Sequence, residues 1–250
     1  MTGSASETPY RIEPYRPADR KTVEEICAQT GLRGRLDRTF CDRDLFVKFW
    51  LSPYLDGQPE NCLVARDADG VICGYLVGTI GRGYPARVLR TTFPHLLTLL
   101  FRWASGRYRH HPPTGRFIRW LLTRSWRENP TPPADLPAHF HLNLRPDVRK
   151  GLGWELLRTF EGMIREKGFE GWYAVVFSSS GKRDVKLYRR LNFGIGDIRR
   201  CTLFSEETQF VTIYRRMDDG PLDPLKLGRW IDSGEGPKPD VDDRGRDSGA

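Results

Sequence analysis

Several familiar signatures are missing from this 250-residue chain. Its five cysteines (27, 41, 62, 73 and 201) form no Cys-x-x-Cys pair, and their number is odd. A complete disulfide framework is therefore excluded, and a reduced cytoplasmic setting is expected. Cys62 and Cys73 fall in strand-like runs and read as small core residues. No apolar run approaches the ~20 residues of a membrane-spanning helix, so no membrane partner is expected. The first nine residues are small and polar, with no basic-then-apolar leader pattern. Zinc-type His/Cys spacing, a His-Glu-x-x-His pair and a Gly-x-Ser-x-Gly elbow are all absent. Internal repeats are absent too.

Lysine is missing from one long stretch. Residues 82–137 hold ten arginines, no lysine and two acids, Glu128 and Asp135. That net charge of +8 equals the charge of the whole chain, so the remainder is neutral. Apolar groups at Leu96–Trp103 and Phe117–Trp126 have helical spacing. This insertion reads as a helical pair packed on the core by Phe101, Trp103, Trp120 and Trp126. Arginine alone also favours bidentate contacts to carboxylate or phosphate, and hence an acidic acceptor or a phosphorylated cofactor. A basic segment with aromatics suits nucleic acid as well, as a weaker alternative.

The densest information lies in Ala138–Phe193, a β-α-β-α run. Phe140–Leu144 alternates and stops at Arg145-Pro146, as a strand does. Alternation puts His139, His141 and Asn143 on one face and Phe140, Leu142 and Leu144 on the other. Gly151 and Gly153 follow. Leu156, Leu157, Phe160, Met163 and Ile164 then recur at helical spacing. Glycines ahead of a helix let backbone N–H groups approach an anion, and the helix end adds about half a positive charge. Arg149 and Lys150 add two cations, so a pyrophosphate suits the N–H groups of Arg149–Trp154. A tight turn that binds nothing is the plainer reading. A dinucleotide loop would need glycine where Leu156 stands, and a Walker loop would need Gly-Lys-Ser/Thr. The second strand, Trp172–Phe177, is continuously apolar, as suits a strand covered on both faces. A second helix over Lys182–Leu191 carries Tyr188.

Asn143–Gly153, followed by Leu187-Tyr188-Arg-Arg-Leu-Asn-Phe193, resembles the acetyl-CoA core of the GNAT N-acetyltransferases. Ser52-Pro-Tyr-Leu55 and Ala138–Leu144 are most similar to the acetyltransferase-like domains related to the one fused to protein O-GlcNAcases. Val148, Gly181, Asp184 and Asn192 depart from the family pattern. The resemblance implies a mixed, mostly antiparallel α/β sheet with a central parallel unit and flanking helices. The cofactor it implies is acetyl-CoA, contacted at Leu142, Asn143, Leu144, Arg149, Lys150, Gly151, Leu152, Gly153 and Trp154. Ser179 is expected at the pantetheine arm. Tyr188 is the expected leaving-group donor, and a backbone N–H near Leu144 the oxyanion donor.

Amine acetylation by a thioester also needs a neutral amine. At pKa ~10.4 only about one amine in 2,500 is neutral at pH 7. His141 is the first candidate base and His139 the second. The expected function is acetyl transfer to a primary amine of a small molecule or protein, and the arginine-rich insertion points to an acidic amine acceptor as partner. The alternatives are a non-catalytic acyl-CoA-binding module and a nucleic-acid-binding protein. Elsewhere, Tyr10–Tyr15 reads as a first strand, and Pro17–Thr30 and Asp42–Trp50 as helices. Cys62–Ala65 and Val71–Ile80 flank the hairpin signal Asp67-Ala-Asp-Gly70. Ile195–Phe204 and Thr208–Arg216 read as an antiparallel pair. One domain over 10–217 is expected, between a disordered 1–9 and a Gly/Pro/Asp/Ser-rich tail, 218–250, that cannot order itself.

Overall fold

The computed structural model describes residues 10–148, 151–178, 182–204 and 208–219. The expected disorder of 1–9 and of nearly all of 218–250 lies outside the described residues, as do Arg149, Lys150, Ser179 and Gly181. In chain order the elements are β1 (Arg11–Pro14), α1 (Arg20–Gly34), α2 (Leu36–Thr39), α3 (Arg43–Leu55), β2 (Cys62–Arg66) and β3 (Ile72–Thr79). The insertion follows as α4 (Tyr84–Ala104), α5 (Pro112–Thr123) and α6 (Ser125–Glu128). The chain continues as β4 (Ala138–Leu144), α7 (Leu152–Glu166), β5 (Gly171–Ser178), α8 (Lys182–Arg190), β6 (Gly194–Arg200) and β7 (Gln209–Arg216).

The strands form one sheet in the order β1-β2-β3-β4-β5-β7-β6. Every neighbouring pair is antiparallel except β4–β5, which is parallel. The β2–β3 turn follows from its residues. Gly70 takes φ +80, and the Asp67 carboxylate accepts from the N–H groups of Asp69 and Val71.

Each face of the sheet carries a core. On the first, Tyr75 and Val77 meet α1, α3 and the insertion through Val23, Phe46, Leu51 and Leu99. On the second, Leu76, Phe140 and Trp172 pack beneath α7 through Leu156, Phe160 and Ile164. Trp172 and Arg215 both donate to the buried Glu161 carboxylate, at 2.8 and 3.0 Å.

The insertion is stapled to the domain differently from the expectation. Phe101, Trp103 and Trp126 are exposed rather than packed on the sheet. Leu99, Tyr108, Phe117 and Ile118 are the buried anchors. Tyr108 and Arg102 both donate to Asp42, at 2.5 and 2.7 Å, while Asp42 caps α3 by accepting from Leu45 N–H. Burial raises the Asp42 pKa, but these bonds outweigh it and hold the carboxyl below its usual range. β6 stops at Arg200, short of the expected Phe204. There Glu128 of the insertion accepts from Thr202 N–H and Oγ1, drawing that segment into a turn.

Candidate functional site

β4 and β5 are hydrogen-bonded neighbours over just two pairs, Ala138↔Trp172 and His139↔Tyr173. Beyond these the strands part. β4 stays with β3 as far as Leu144, and β5 stays with β7 as far as Ser178. The sheet thus opens between His141–Leu144 and Val175–Ser178. The expectations for Leu142, Asn143 and Leu144 fall on this opening.

On the second face α7 begins beside the opening. Gly151 caps it at φ +108, a left-handed conformation that side chains rarely adopt, and an added Cβ there meets nothing within 4 Å. The N–H groups of Leu152 and Gly153 precede the first intrahelical bonds, which the Trp154 and Glu155 N–H groups make to Gly151 O. The Trp154 N–H is therefore already engaged, and its ring packs on Phe193 at 5.7 Å. Tyr188 stacks on the same Phe193 at 6.5 Å. One aromatic group thus joins the expected leaving-group donor to the helix that starts at the glycine loop. Asn192 sits between them in sequence at φ +64. Asparagine tolerates that conformation better than most residues, so it fills the place of the family's glycine.

The first face holds the histidines. His139 is buried and His141 half-buried, their rings 5.0 Å apart. Tyr54 Oη from α3 lies 2.8 Å from His139 Nδ1 and 2.7 Å from Tyr84 Oη at the start of α4. Tyr173 of β5 lies against the His139 ring at 4.7 Å, and Trp50 of α3 lies 6.3 Å from His141. Asn143 donates to Tyr75 Oη at 2.6 Å. Burial pushes the His141 pKa down to about 4. Burial, then the neighbouring His141, holds His139 well below its usual value. Both rings are therefore neutral at pH 7. Burial raises the pKa of Tyr54, Tyr84 and Tyr173, so these hydroxyls keep their protons.

Tyr188 and His141 thus stand on opposite faces, with the strand opening between them. Sequence reasoning missed Tyr84 and Tyr173 and noted Tyr54 only as part of a family likeness. The one usable signal was that Tyr173, like His139, faces the α3 side by alternation.

The residues present fit acetyl-CoA in three respects. Gly151 leaves open space at a helix N-terminus, suited to a pyrophosphate. The parted strands leave a gap for an extended arm. Among the described residues, the buried Ser178 Oγ at the end of β5 has no hydrogen-bond partner. No cluster of metal-ligating side chains occurs among the described residues.

Neither a protein-family model nor a curated protein matches the chain. Solved structures do. SsHAT is similar with a TM-score of 0.53 and 24% identity, over 86% of this chain and 100% of that one. The two share a fold, a mixed, mostly antiparallel α/β sheet with one parallel pair and flanking helices, as the GNAT resemblance implies. Weaker similarity extends to a GNAT superfamily phosphinothricin acetyltransferase from Sinorhizobium meliloti in complex with AcCoA (TM-score 0.48, 18% identity, 84% of this chain and 89% of that one). A Drosophila melanogaster polyamine N-acetyltransferase follows (TM-score 0.46, 12% identity, 83% of this chain and 100% of that one).

Proposed function

We propose that the protein is an acetyl-CoA-dependent N-acetyltransferase that moves the acetyl group directly to a primary amine of a small molecule or protein. The parting of β4 and β5 beside the glycine-capped start of α7 carries this reading. It gives one opening with a glycine-capped helix start on one face and the packed group of Tyr54, His139, His141 and Tyr173 on the other. The thioester supplies the acyl group; the chain supplies position, proton transfer and hydrogen bonds. Leu152 and Gly153 N–H groups hold the pyrophosphate, and Arg149 and Lys150, just before them in sequence, add positive charge. Ser178 and Ser179 serve the pantetheine arm. A backbone N–H near Leu144 meets the developing oxyanion.

The geometry and electrostatics sharpen the role of His141. A base with pKa about 4 cannot strip a proton from an ammonium near 10.4, because that transfer is uphill by roughly 9 kcal/mol. His141 acts later, accepting the proton that the nitrogen sheds once it has attacked and become acidic. The free amine comes from its own small neutral fraction. His139, tied to Tyr54, orients His141 and is the second acceptor. Tyr188 donates a hydrogen bond to the departing sulfur. The two segments that resemble the O-GlcNAcase-fused domains meet at the Tyr54–His139 bond, which supports that closer likeness. The exposed Arg116, Arg119 and Arg124 of the insertion select an acceptor carrying negative charge.

Thiol release from acetyl-CoA in the presence of a panel of amines tests the reading. Release with at least one amine, dependent on Tyr188, is the expected result. Binding of acetyl-CoA without release for any amine would instead identify a non-catalytic acyl-CoA module, the reading that Val148, Gly181 and Asn192 favour in the sequence.

A further inference from the structure

The outward side of α4 carries apolar groups that nothing in the described chain covers. Leu89, Phe93, Leu97 and Phe101 recur every fourth residue and so form one line along the helix. Their accessibilities are 66, 51, 53 and 75%. At 1.5 Å per residue the line is about 18 Å long. The inward side is satisfied: Leu99 is fully buried and Arg102 is held by Asp42. A contiguous exposed row of this kind marks a partner surface.

The surrounding charge says which partner. Arg90 projects from the same outward side of α4, and Arg82, Arg107 and Arg109 are exposed beyond its two ends. Both acids of the segment are engaged elsewhere, Glu128 by Trp120 and Thr202 and Asp135 by Arg216. The segment therefore offers large apolar side chains and positive charge, with no unengaged acid of its own. A second copy would set like charge against like. A folded protein partner would need an acidic face to meet these arginines. One sign of charge around a row of Leu and Phe is instead the composition of a helix lying in an anionic lipid interface. No helix among the described residues is long and apolar enough to cross a membrane, and a helix that lies in the interface needs no such span.

We propose that α4 docks the protein on an anionic lipid surface. Leu89, Phe93, Leu97 and Phe101 enter the boundary between headgroups and acyl chains, and Arg90 with the flanking arginines meets lipid phosphates. This places the protein at a membrane surface, against the expectation drawn from the lack of a spanning segment, and it stands whether or not acetyl transfer is confirmed.

Cosedimentation of the full chain with phosphatidylcholine vesicles, with and without phosphatidylserine, tests it. Binding should be at least about tenfold tighter with phosphatidylserine and should weaken as salt rises. The double variant Phe93→Ser/Phe101→Ser should lose that binding while keeping the Tm, because both side chains are exposed. Arg90→Gln should weaken binding about fivefold. Equal binding to both vesicle types, no binding at all, or a double variant that binds like the unmodified chain overturns the proposal. A dimer that the double variant dissociates assigns the row to a second copy and also overturns it. Heparin binding as tight as vesicle binding, with both insensitive to the double variant, makes the segment a polyanion site and likewise sinks the lipid reading.

Discussion

Lowering the pH from 7 to 5 should destabilise the fold by about 2 kcal/mol through His141 alone. An unfolded histidine titrates near 6.5, whereas His141 in the folded chain is held at about 4 by burial among Trp50, Tyr54 and His139. Between those values the unfolded chain takes up a proton that the folded chain refuses. The stability is fully present above the unfolded value and is lost as the pH falls toward 4. His139 works in the same direction, since burial and then His141 hold it well below its usual value. The paired carboxyls Asp42 and Asp56, held low, lose their contribution only at more acid pH. Urea unfolding at pH 7 and pH 5 should therefore separate the unmodified protein from His141→Gln. The variant should lose about 2 kcal/mol less on acidification, whatever the substitution costs at pH 7. Equal acid losses in the two proteins would refute the neutral His141 and with it the role as a late proton acceptor.

Acetyl-CoA at about 100 times Kd should raise stability by ~2.7 kcal/mol, read as a thermal shift. Gly151→Ala, forced to φ near +108, should cost about 1–2 kcal/mol of stability and weaken acetyl-CoA. Tyr188→Phe should lower kcat by roughly 10²-fold with little change in acetyl-CoA affinity; equal turnover would return Tyr188 to packing on Phe193. Neutral substitutions at Arg116, Arg119 and Arg124 should raise KM for the acceptor and spare acetyl-CoA binding, and weakened acetyl-CoA binding would assign them to the cofactor instead. Glu161→Ala should cost about 3–5 kcal/mol in denaturant unfolding, because it breaks a buried ion pair with Arg215 and removes the acceptor of the Trp172 N–H.

The sheet was legible because its signals are local. Alternation in Phe140–Leu144, the apolar run Trp172–Phe177 and the turn at Asp67–Gly70 each fall within the strand or hairpin they announce. The site was legible where it is also local, at Gly151 and the α7 start. It was hidden where it depends on helices that run through proline. Pro53 lies inside α3, which continues to Leu55 and so carries Tyr54 to His139. α4 begins at Tyr84 and passes Pro94, a full 12 residues ahead of the apolar group that first announced it. Tyr54, Tyr84, His139 and Tyr173 come from four elements, and no spacing in one chain segment marks their meeting. The exposed Phe101, Trp103 and Trp126 were misplaced for a related reason. Helical spacing shows that a row of apolar side chains shares a side, and does not show which side meets the core.

The departures from the family pattern weigh differently once their conformations are seen. Asn192 replaces a glycine where φ is +64, and asparagine is among the few side chains that accept that geometry, so the turn into Phe193 survives the exchange. Phe193 then holds Tyr188 on one side and Trp154 on the other. Val148 replaces a polar residue, but it packs against the second-face core, and the contacts expected of this loop come from backbone N–H groups that the side chain does not alter. Neither change removes a group that the proposed chemistry uses. What decides between an enzyme and an acyl-CoA-binding module is therefore the Tyr188 hydroxyl and the neutral His141, two groups whose loss would leave the fold and the anion site in place.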